Sequence, residues 1–274
     1  MARLRRLDAE LVRRGLARSR EQASALIHEG RVSVGGTVAA KPATQVDPAV
    51  AILVAADETD PAYASRGGHK LAGALDHFAG RLSVTGKHCL DAGASTGGFT
   101  DVLLRRGAAH VVAVDVGYGQ LAWSLQTDDR VTVLDRQNVR ALEPEQVLAP
   151  DGRAPELVVS DLSFISLTLV LPALAAAAPG ADQLLMVKPQ FEVGRERLGS
   201  GGVVRDPAAR RDAVLTVAAA GAEVGLGVHG VVASPLPGPS GNVEYFVWFA
   251  PGAPPMDAEA LGEAVGQAIE EGPQ

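Results

Sequence analysis

Residues 89–100, CLDAGASTGGFT, determine how the rest of the chain can be interpreted. A short apolar run ends at Asp91, a glycine-rich turn containing Gly93, Gly97 and Gly98 follows, and an amphipathic segment comes next. This order predicts a strand, a tight turn that brings the backbone close to a ligand, and a helix N-terminus with free N–H groups. Such a turn can hold a dinucleotide or S-adenosylmethionine.

The chain has 274 residues, enough for one large and one small domain, and 47% of them are hydrophobic, which argues against global disorder. The formal charge of −7 is unevenly distributed, because residues 1–41 carry nine basic and four acidic side chains, a net of +5, and the remainder carries −12. A basic front on an acidic body predicts contact with a polyanion. The alternative is a solvated helix surface.

A single cysteine, Cys89, excludes an internal disulfide and indicates a reducing compartment. Because it lies in an apolar run, we interpret it as a small core residue rather than a nucleophile. No signal peptide is visible, and the most apolar segment, residues 167–178, is too short to span a bilayer and is broken by Pro172. We therefore expect a soluble, cytoplasmic monomer or weak dimer with no membrane partner and no metal.

Two helices are predicted near the start of the chain, over residues 7–15 and 19–30. Asp8 is the expected N-cap of the first helix, and Ser19 opens the second with a capping box. Strand-like segments with a Gly-Gly hairpin turn follow, at residues 31–34, 37–40 and 50–55.

Two helices followed by a hairpin, with arginines on the helices, resemble the S4 RNA-binding fold, and the stretch that carries the resemblance is LDAELVRRGLARSREQASALIHEGRVSVGG. In that family the second helix and the turn after it face RNA. The alternative for any single arginine is a solvent-facing charge, whereas a set of them favours phosphate contacts. The resulting RNA-binding candidates, with one more arginine from the later SRGGHKL motif, are Arg5, Arg6, Arg14, Arg18, Ser19, Arg20, Arg31 and Arg66.

Beyond residue 87 strand-like and helical segments alternate, which predicts a doubly wound sheet with right-handed crossovers. The last two strands are joined by SPLPGPSGN, which has no room for a helix, so the final strand should be antiparallel to its neighbour. This is the α/β arrangement of a class I, Rossmann-like, seven-stranded methyltransferase domain. The predicted strands are residues 88–91, 110–116, 131–135, 157–162, 183–188, 230–233 and 243–249.

The stretch DETDPAYA, residues 57–64, is acidic and contains Pro61, which is typical of an interdomain linker. We place a small α+β S4-like domain at residues 1–58, the linker at residues 59–65 and the methyltransferase domain at residues 66–274.

The turn lacks the G-x-G-x-x-G pattern, and its acid precedes the first glycine. A carboxylate there suits the ammonium of S-adenosylmethionine and would repel a pyrophosphate. Asp115 ends the second strand about 20 residues on, where a carboxylate can bind ribose hydroxyls, and Asp135 and Asn138 follow the third strand, where Asn138 can bond an adenine edge. Each of these side chains has a turn or cap role as its alternative. The predicted cofactor is S-adenosylmethionine, bound by Asp91, Gly93, Ala94, Ser95, Gly97, Gly98, Phe99, Asp115 and Asn138.

Four further residues stand out: Lys70 in RGGHK, Asp161 in SDLSF, Lys188 in MVKPQ and Glu244 in NVEYF. A lysine that ends an apolar strand is unusual, since lysine is rarely buried without a partner; a structural ion pair with Asp161 is the alternative. Methyl transfer to a ribose hydroxyl needs alignment and loss of a proton from a weak acid. A second lysine and a desolvated pocket would destabilise the ammonium form of Lys188, and carboxylates would orient it.

Lys-Asp-Lys-Glu in this order resembles the tetrad of the RrmJ/FtsJ-type 2′-O-methyltransferases. With the S4-like front, the motifs SRGGHKL, LDAGASTGGFTD, VDVGYGQLAW, DLSFISL, VKPQFEVG and SPLPGPSGNVEYF make the chain resemble the TlyA (haemolysin A) family over almost its whole length. That family methylates cytidine 2′-hydroxyls in ribosomal RNA, which implies 16S or 23S RNA, or the ribosomal subunits, as partner.

The resemblance also implies residue roles. Lys188 would be the general base or proton acceptor, Lys70 and Asp161 would tune and orient it, and Glu244 would complete the constellation. Asp161 and Phe164 would help to form the cofactor pocket.

Three other functions remain as alternatives. A pore-forming haemolysin is not supported by any spanning segment, and a non-catalytic RNA-binding or ribosome-assembly protein would not need the glycine turn and the four tetrad residues. A small-molecule methyltransferase would leave the basic front unexplained.

Overall fold

The computed structural model describes residues 4–17, 19–55, 61–252 and 256–273. The chain divides into two compact units, Met1–Ala62 and Tyr63–Gln274. Tyr63 is buried within the second unit, so the end of the predicted linker packs as part of that unit, whereas residues 56–60 lie outside the described ranges.

The first unit contains the predicted two helices and hairpin. Its strands form two antiparallel sheets, one pairing Arg5–Arg6 with Gln45–Val46 and the other placing Val32–Val34 between Thr37–Val38 and Ile52–Val54, around a core that includes Leu7, Leu11, Ile27 and Val32. The elements are β1 Arg5–Arg6, α1 Leu7–Arg13, α2 Arg20–His28, β2 Val32–Val34, β3 Thr37–Val38, β4 Gln45–Val46 and β5 Ile52–Val54.

The two predicted helix caps have different outcomes. Ser19 is the N-cap of α2, and its hydroxyl accepts a hydrogen bond from the backbone of Gln22 at 3.1 Å. Asp8 is not the N-cap of α1, because the helix follows directly on β1. The N–H groups of Leu7 and Asp8 donate to the carbonyls of residues 44 and 42, and Oδ1 of Asp8 accepts a hydrogen bond from the N–H of Ala9 at 2.8 Å within the first turn.

The second unit is built on a seven-stranded sheet. In chain order its elements are α3 Gly67–His77, β6 His88–Ala92, α4 Gly98–Arg105, β7 His110–Val114, α5 Trp123–Gln126, β8 Val131–Leu134, β9 Leu157–Ser160, α6 Leu171–Ala177, β10 Asp182–Val187, α7 Pro189–Glu192, α8 Pro207–Glu223, β11 Leu226–Ala233, β12 Tyr245–Pro251 and α9 Ala258–Glu271, with 3₁₀ helices at Val139–Ala141, Pro144–Val147, Leu167–Leu169, Arg195–Arg197 and Ser200–Gly202.

The strand order is β11-β12-β10-β9-β6-β7-β8, and β12 runs antiparallel to both of its neighbours. The predicted fold, including its reversed last strand, is confirmed. Strand β11 begins at Leu226, four residues before the prediction, because an irregularity between Val228 and Gly230 breaks the side-chain alternation. The parallel strands β6, β7 and β9 are buried along their whole length, as expected for a sheet covered on both faces.

Helices α3, α4 and α5 cover one face of the sheet, and α6, α8 and α9 cover the other. Cys89 lies in the core under the first group, and burial raises the pKa of its thiol to about 12, so its interpretation as a core residue is confirmed. In the described ranges, no helix is long and apolar enough to cross a membrane.

The topology brings distant residues to one edge of the sheet. The parallel strands end there, and the reversed strand β12 begins there, with Tyr245 paired to Val187. The glycine turn after β6, Asp161 after β9, Lys188 after β10 and Glu244 before β12 therefore share this edge.

Candidate active site

A pocket of about 270 Å³ lies at this edge of the sheet. It is lined by residues predicted to bind the cofactor, namely Gly93, Ala94, Ser95, Gly98, Phe99 and Asp161. The predicted residues Lys70, Lys188 and Arg66 also line it. Ser65, Gly67, Thr96, Ser163, Pro237 and Pro239, which the sequence did not single out, complete the lining.

The glycines of the turn allow the backbone to line the pocket directly. Gly93 has a φ of +93°, and a Cβ placed there would lie 3.1 Å from the carbonyl oxygen of Asp161. Gly97 has a φ of +95° at the N-cap of α4, and a Cβ there would overlap Leu121 and Leu125. Neither position accommodates a side chain without strain or displacement, and at Gly93 the backbone itself lines the pocket.

Asp91 lies beneath the turn and is fully buried. One of its carboxylate oxygens accepts a hydrogen bond from the Thr100 hydroxyl at 2.7 Å, which ties β6 to α4, and the other has no hydrogen-bond partner among the described residues. Burial raises the pKa of this carboxyl to about 7, against the hydrogen bond from Thr100, which lowers it. The predicted contact of Asp91 with a ligand ammonium stays a prediction, since the lining of the pocket does not include this residue.

The polar residues after β7 and β8 make turn contacts. Asp115 accepts hydrogen bonds from the backbone N–H groups of Ser95 (2.8 Å) and Gly117 (2.7 Å), so it joins the glycine turn to the next loop. Asp135 accepts one from the N–H of Gly119 at 2.9 Å. Asn138 is exposed and caps the short helix Val139–Ala141 through a 3.0 Å hydrogen bond from the N–H of residue 140.

Phe164 lies in the segment after β9, but its side chain is 91% exposed and it does not line the pocket. Its φ of +64° is rare for a residue with a side chain, and its ring lies 5.4 Å from that of Phe191. Its predicted part in the cofactor pocket, like those of Asp115 and Asn138, stays a prediction.

The four predicted tetrad residues meet as two ion pairs. Lys70, in the first turn of α3, lies with its Nζ 2.5 Å from Oε2 of Glu244. Lys188 lies with its Nζ 2.6 Å from Oδ1 of Asp161. Lys70, Lys188 and Glu244 are buried, while Asp161 is partly exposed. Two ammonium groups and two carboxylates are therefore concentrated at the pocket beside the glycine turn.

Lys188 has a second partner that the sequence did not reveal. Its Nζ donates a hydrogen bond to the hydroxyl of Ser163 at 2.8 Å. By contrast, Oδ1 of Asp161 contacts the ammonium without forming a hydrogen bond. The signal was present in the motif DLSF, where Ser163 lies between two residues that the resemblance did assign.

The loop before Glu244 is fixed by a buried asparagine. The side-chain oxygen of Asn242 accepts a hydrogen bond from the N–H of Val204 at 2.9 Å, and its amide donates to the carbonyl of Gly202 at 3.0 Å. The carbonyl of Glu244 accepts a further hydrogen bond from the N–H of Ser234 at 2.8 Å. Asn242 opens the motif NVEYF, and its spacing of two residues from Glu244 was its only signal in the sequence.

Some of the predicted RNA-binding arginines in the first unit remain exposed while paired with an acid. Arg6 and Arg20 each donate a hydrogen bond to Asp8 at 2.9 Å. These bonds hold the pKa of Asp8 well below its usual range, and the bond from Arg6 has the larger effect. Arg5 is exposed on β1, and Ser19 is exposed at its cap position.

Other predicted arginines contribute to the fold of this unit. Arg14 donates to Glu10 and to the carbonyls of residues 48 and 50, each at 2.8 Å. Together with Arg13, which contributes more, Arg14 lowers the pKa of Glu10 to about 2. Arg31 donates to the carbonyl of residue 55 at 3.2 Å. Arg66 is exposed before α3 in the second unit, and Arg18 lies outside the described residues.

Comparison with known proteins decides the family. A model of the S4 domain matches residues 5–52, and a model of the FtsJ-like methyltransferases matches residues 63–250. The chain belongs to the FtsJ-like methyltransferase family.

Within that family the chain is similar to the TlyA proteins. It is 58% identical, over the full length of both chains, to the 16S/23S rRNA (cytidine-2′-O)-methyltransferase TlyA of Mycobacterium tuberculosis. It is 41% identical to YqxC of Bacillus subtilis, a candidate rRNA methyltransferase, over 97% of this chain and 93% of that one. The solved structure of a candidate hemolysin from Streptococcus thermophilus has 38% identity and a TM-score of 0.75, covering 99% of this chain and 98% of the other.

An FtsJ-like methyltransferase uses S-adenosylmethionine as its methyl donor, and this is the cofactor of the chain. The pocket residues fit such a group, because Gly93 and Gly98 have no space for a side chain and leave backbone facing the pocket. Among the described residues, no group of three or more His, Cys, Asp or Glu side chains could hold a metal ion.

Proposed function

We propose that this protein transfers the methyl group of S-adenosylmethionine to the ribose 2′-hydroxyl of cytidine in ribosomal RNA. The observation that carries the proposal is the meeting of Lys70–Glu244 and Lys188–Asp161 in the pocket beside the glycine turn. The similar TlyA of Mycobacterium tuberculosis is named for this activity on both 16S and 23S RNA, which supports the same substrate class here.

The cofactor supplies an electrophilic methyl group on a sulfonium. The protein must then hold a hydroxyl in line with that methyl group and receive its proton, because a neutral alcohol is a poor nucleophile. We assign Lys188 to the second task, since it follows β10 at the pocket and its Nζ is held by Ser163 and Asp161.

Lys70 and Glu244 act on the other side of this constellation. Lys70 lines the same pocket as Lys188, so it places a second positive charge at the site. Glu244 is buried against Lys70 and holds its ammonium in place. All four side chains come from one chain, which supports action as a monomer.

The first unit supplies the basic surface for a large polyanion. Arg5, Arg6 and Arg20 are exposed on it, and Arg6 and Arg20 are oriented by Asp8. Phosphate contacts of this kind position RNA without reading its sequence. A ribosomal RNA or subunit substrate in the cytoplasm accounts for both units, whereas a small-molecule substrate would account for the second alone.

The test is to map the transferred methyl groups. The protein is incubated with tritium-labelled S-adenosylmethionine and with purified 16S RNA, 23S RNA or intact subunits. The labelled positions are located in the RNA, and the RNA is then hydrolysed to identify 2′-O-methylcytidine. Labelled cytidine in either RNA is expected. Labelling of no RNA, or labelling only on a base, would contradict the proposal.

A variant of the tetrad identifies the site responsible. Lys188→Ala is expected to abolish labelling while the Kd for S-adenosylmethionine stays within a few-fold. Lys87→Ala is the matched control, because Lys87 pairs with Asp182 at 3.0 Å and lies just before β6, at the opposite edge of the sheet from the pocket. Wild-type labelling by Lys188→Ala would remove the role assigned to this lysine.

A further inference from the structure

The hydrogen bond from Lys188 to Ser163 is the contact at the pocket that the tetrad does not include. Nζ and Oγ are 2.8 Å apart with good geometry, and Ser163 lines the pocket next to Lys188. Ser163 is exposed, so its hydroxyl does not need this bond to avoid an unsatisfied buried group. The bond therefore serves the lysine more than the serine.

The two partners of Lys188 differ in chemistry. Asp161 is a carboxylate, and its Oδ1 contacts Nζ without hydrogen-bond geometry. Ser163 presents a neutral hydroxyl that can accept an N–H from either the amine or the ammonium. The bond to Ser163 is thus compatible with both states of a nitrogen that gains a proton, and it can persist through the transfer.

We infer that Ser163 is a positioning residue that aims the Lys188 nitrogen at the hydroxyl to be methylated. This inference rests on the proposed function. A tetrahedral Nζ has four directions, of which one is the bond to Cε and one is the hydrogen bond to Ser163, while Oδ1 of Asp161 lies 2.6 Å away without hydrogen-bond geometry. A direction that neither Cε nor Ser163 uses is left for the substrate hydroxyl in the pocket that Lys188 lines.

The ribose 2′-oxygen forms a bond to the methyl carbon as the bond between that carbon and sulfur breaks, and S-adenosylhomocysteine leaves. The 2′-hydroxyl proton passes to the free direction of Lys188 Nζ, which becomes the ammonium. Ser163 takes no proton and accepts its hydrogen bond throughout.

Ser163→Ala and Ser163→Thr in the full-length protein test this role. The alanine variant removes the acceptor, while the threonine variant keeps a hydroxyl at the same carbon. We expect kcat for RNA methylation to fall about 10- to 100-fold in Ser163→Ala, since misplacement of a reacting group by a fraction of an ångström to one ångström costs this much. KM for RNA and Kd for S-adenosylmethionine should change less than about twofold, and Ser163→Thr should recover most of kcat.

Each other outcome has a defined meaning. If the wild-type protein methylates RNA and Ser163→Ala has wild-type kcat, the positioning role is overturned and the proposed function stands. If the alanine variant loses activity through a raised Kd for the cofactor, or the threonine variant is as impaired as the alanine variant, the role is also overturned. Absence of RNA labelling by the wild-type protein would overturn the proposed function and this inference together.

Discussion

Lys70 and Glu244 lie 174 residues apart in the chain and form a 2.5 Å ion pair in which the side chains are only 7% and 1% exposed. Burial on this scale makes each charge depend on the other, because neither can be hydrated if its partner is lost. The pair also joins α3 to the start of β12, so it links two elements beside the pocket as well as placing charged groups there.

Removal of one member of this pair should destabilise the protein strongly. We expect Lys70→Met to lower the free energy of unfolding by about 3–5 kcal/mol, because it leaves Glu244 buried and unpaired. Both tryptophans lie in the second unit, so urea denaturation followed by tryptophan fluorescence reports on this unit alone. The double variant Lys70→Met/Glu244→Gln should recover much of the stability that Lys70→Met loses. If the double variant instead loses the sum of what the two single variants lose, the two groups are not coupled.

The pH dependence of stability should reveal Asp91. Its ordinary pKa of 3.8 is raised to about 7 in the folded protein. The folded state therefore retains a proton that the unfolded state releases between about pH 4 and pH 7. The contribution of Asp91 to the free energy of unfolding is fully present below about pH 4 and is lost as pH rises through 7, a change of roughly 4 kcal/mol.

Asp91→Asn removes this titration while keeping the shape of the side chain. The difference in unfolding free energy between the variant and the wild type, measured by urea denaturation from pH 5 to pH 8, should shift in favour of the variant as pH rises. Asp8 and Glu10, whose pKa values are lowered by arginines, have the opposite effect on the pH dependence of stability. Because both proteins contain them, this effect cancels when the wild-type value is subtracted from that of the variant. A difference that does not change with pH would show that Asp91 is ionised in the folded protein throughout this range.

Two arginines of the first unit should separate RNA binding from stability. Arg20 is 61% exposed and bound to Asp8, so Arg20→Ala is expected to weaken RNA binding and to reduce the slope of log K against log salt by about one. Arg14 donates to two backbone carbonyls, so Arg14→Ala should cost roughly 1–3 kcal/mol of stability and leave RNA affinity within about twofold.

Filter binding at several salt concentrations, with calorimetry of the full chain, distinguishes these effects. An unchanged salt slope in Arg20→Ala would remove that residue from the RNA surface. A loss of RNA affinity in an Arg14→Ala protein of normal stability would place Arg14 on the RNA surface after all.

Two asparagines provide a matched comparison. Asn242 is buried and satisfies the backbone at Val204 and Gly202, so Asn242→Ala should cost roughly 2–4 kcal/mol and impair catalysis by loosening the loop before Glu244. Asn138 is exposed and caps a single short helix, so Asn138→Ala should cost about 1 kcal/mol or less.

Chemical denaturation and equilibrium binding of S-adenosylmethionine check both asparagine variants. A raised Kd in Asn138→Ala would support the adenine contact predicted from the sequence, and an unchanged Kd would argue against it. Equal stability of the two variants would contradict the structural role given to Asn242.

The fold could be predicted from the sequence because its signals are local. The glycine turn, the alternation of apolar runs and the short final connection each lie within about a dozen residues, and together they define a sheet with a reversed last strand. Asp8 shows the limit of such signals, because the helix begins at Leu7, where the carbonyls of residues 42 and 44, from a distant part of the chain, accept the first N–H groups.

The charged residues of the site could be predicted from the sequence, but the uncharged residues that hold them in position could not. Lysines and acids at strand ends are conspicuous in a sequence, whereas a serine or asparagine there is common. Ser163 reaches Lys188 across 25 residues and Asn242 reaches Val204 across 38, and only the folded chain brings these partners together. The pocket-lining prolines 237 and 239 were overlooked for the same reason.

The last strand of the sheet in chain order, β12, lies between β10 and β11 rather than at an edge. A growing chain that has not yet reached residue 251 therefore leaves β10 with an open edge and β11 without its neighbour. Glu244 arrives at the pocket only with this strand. Assembly of the charged site is thus tied to synthesis of this strand, and products truncated before it would be both inactive and prone to aggregate.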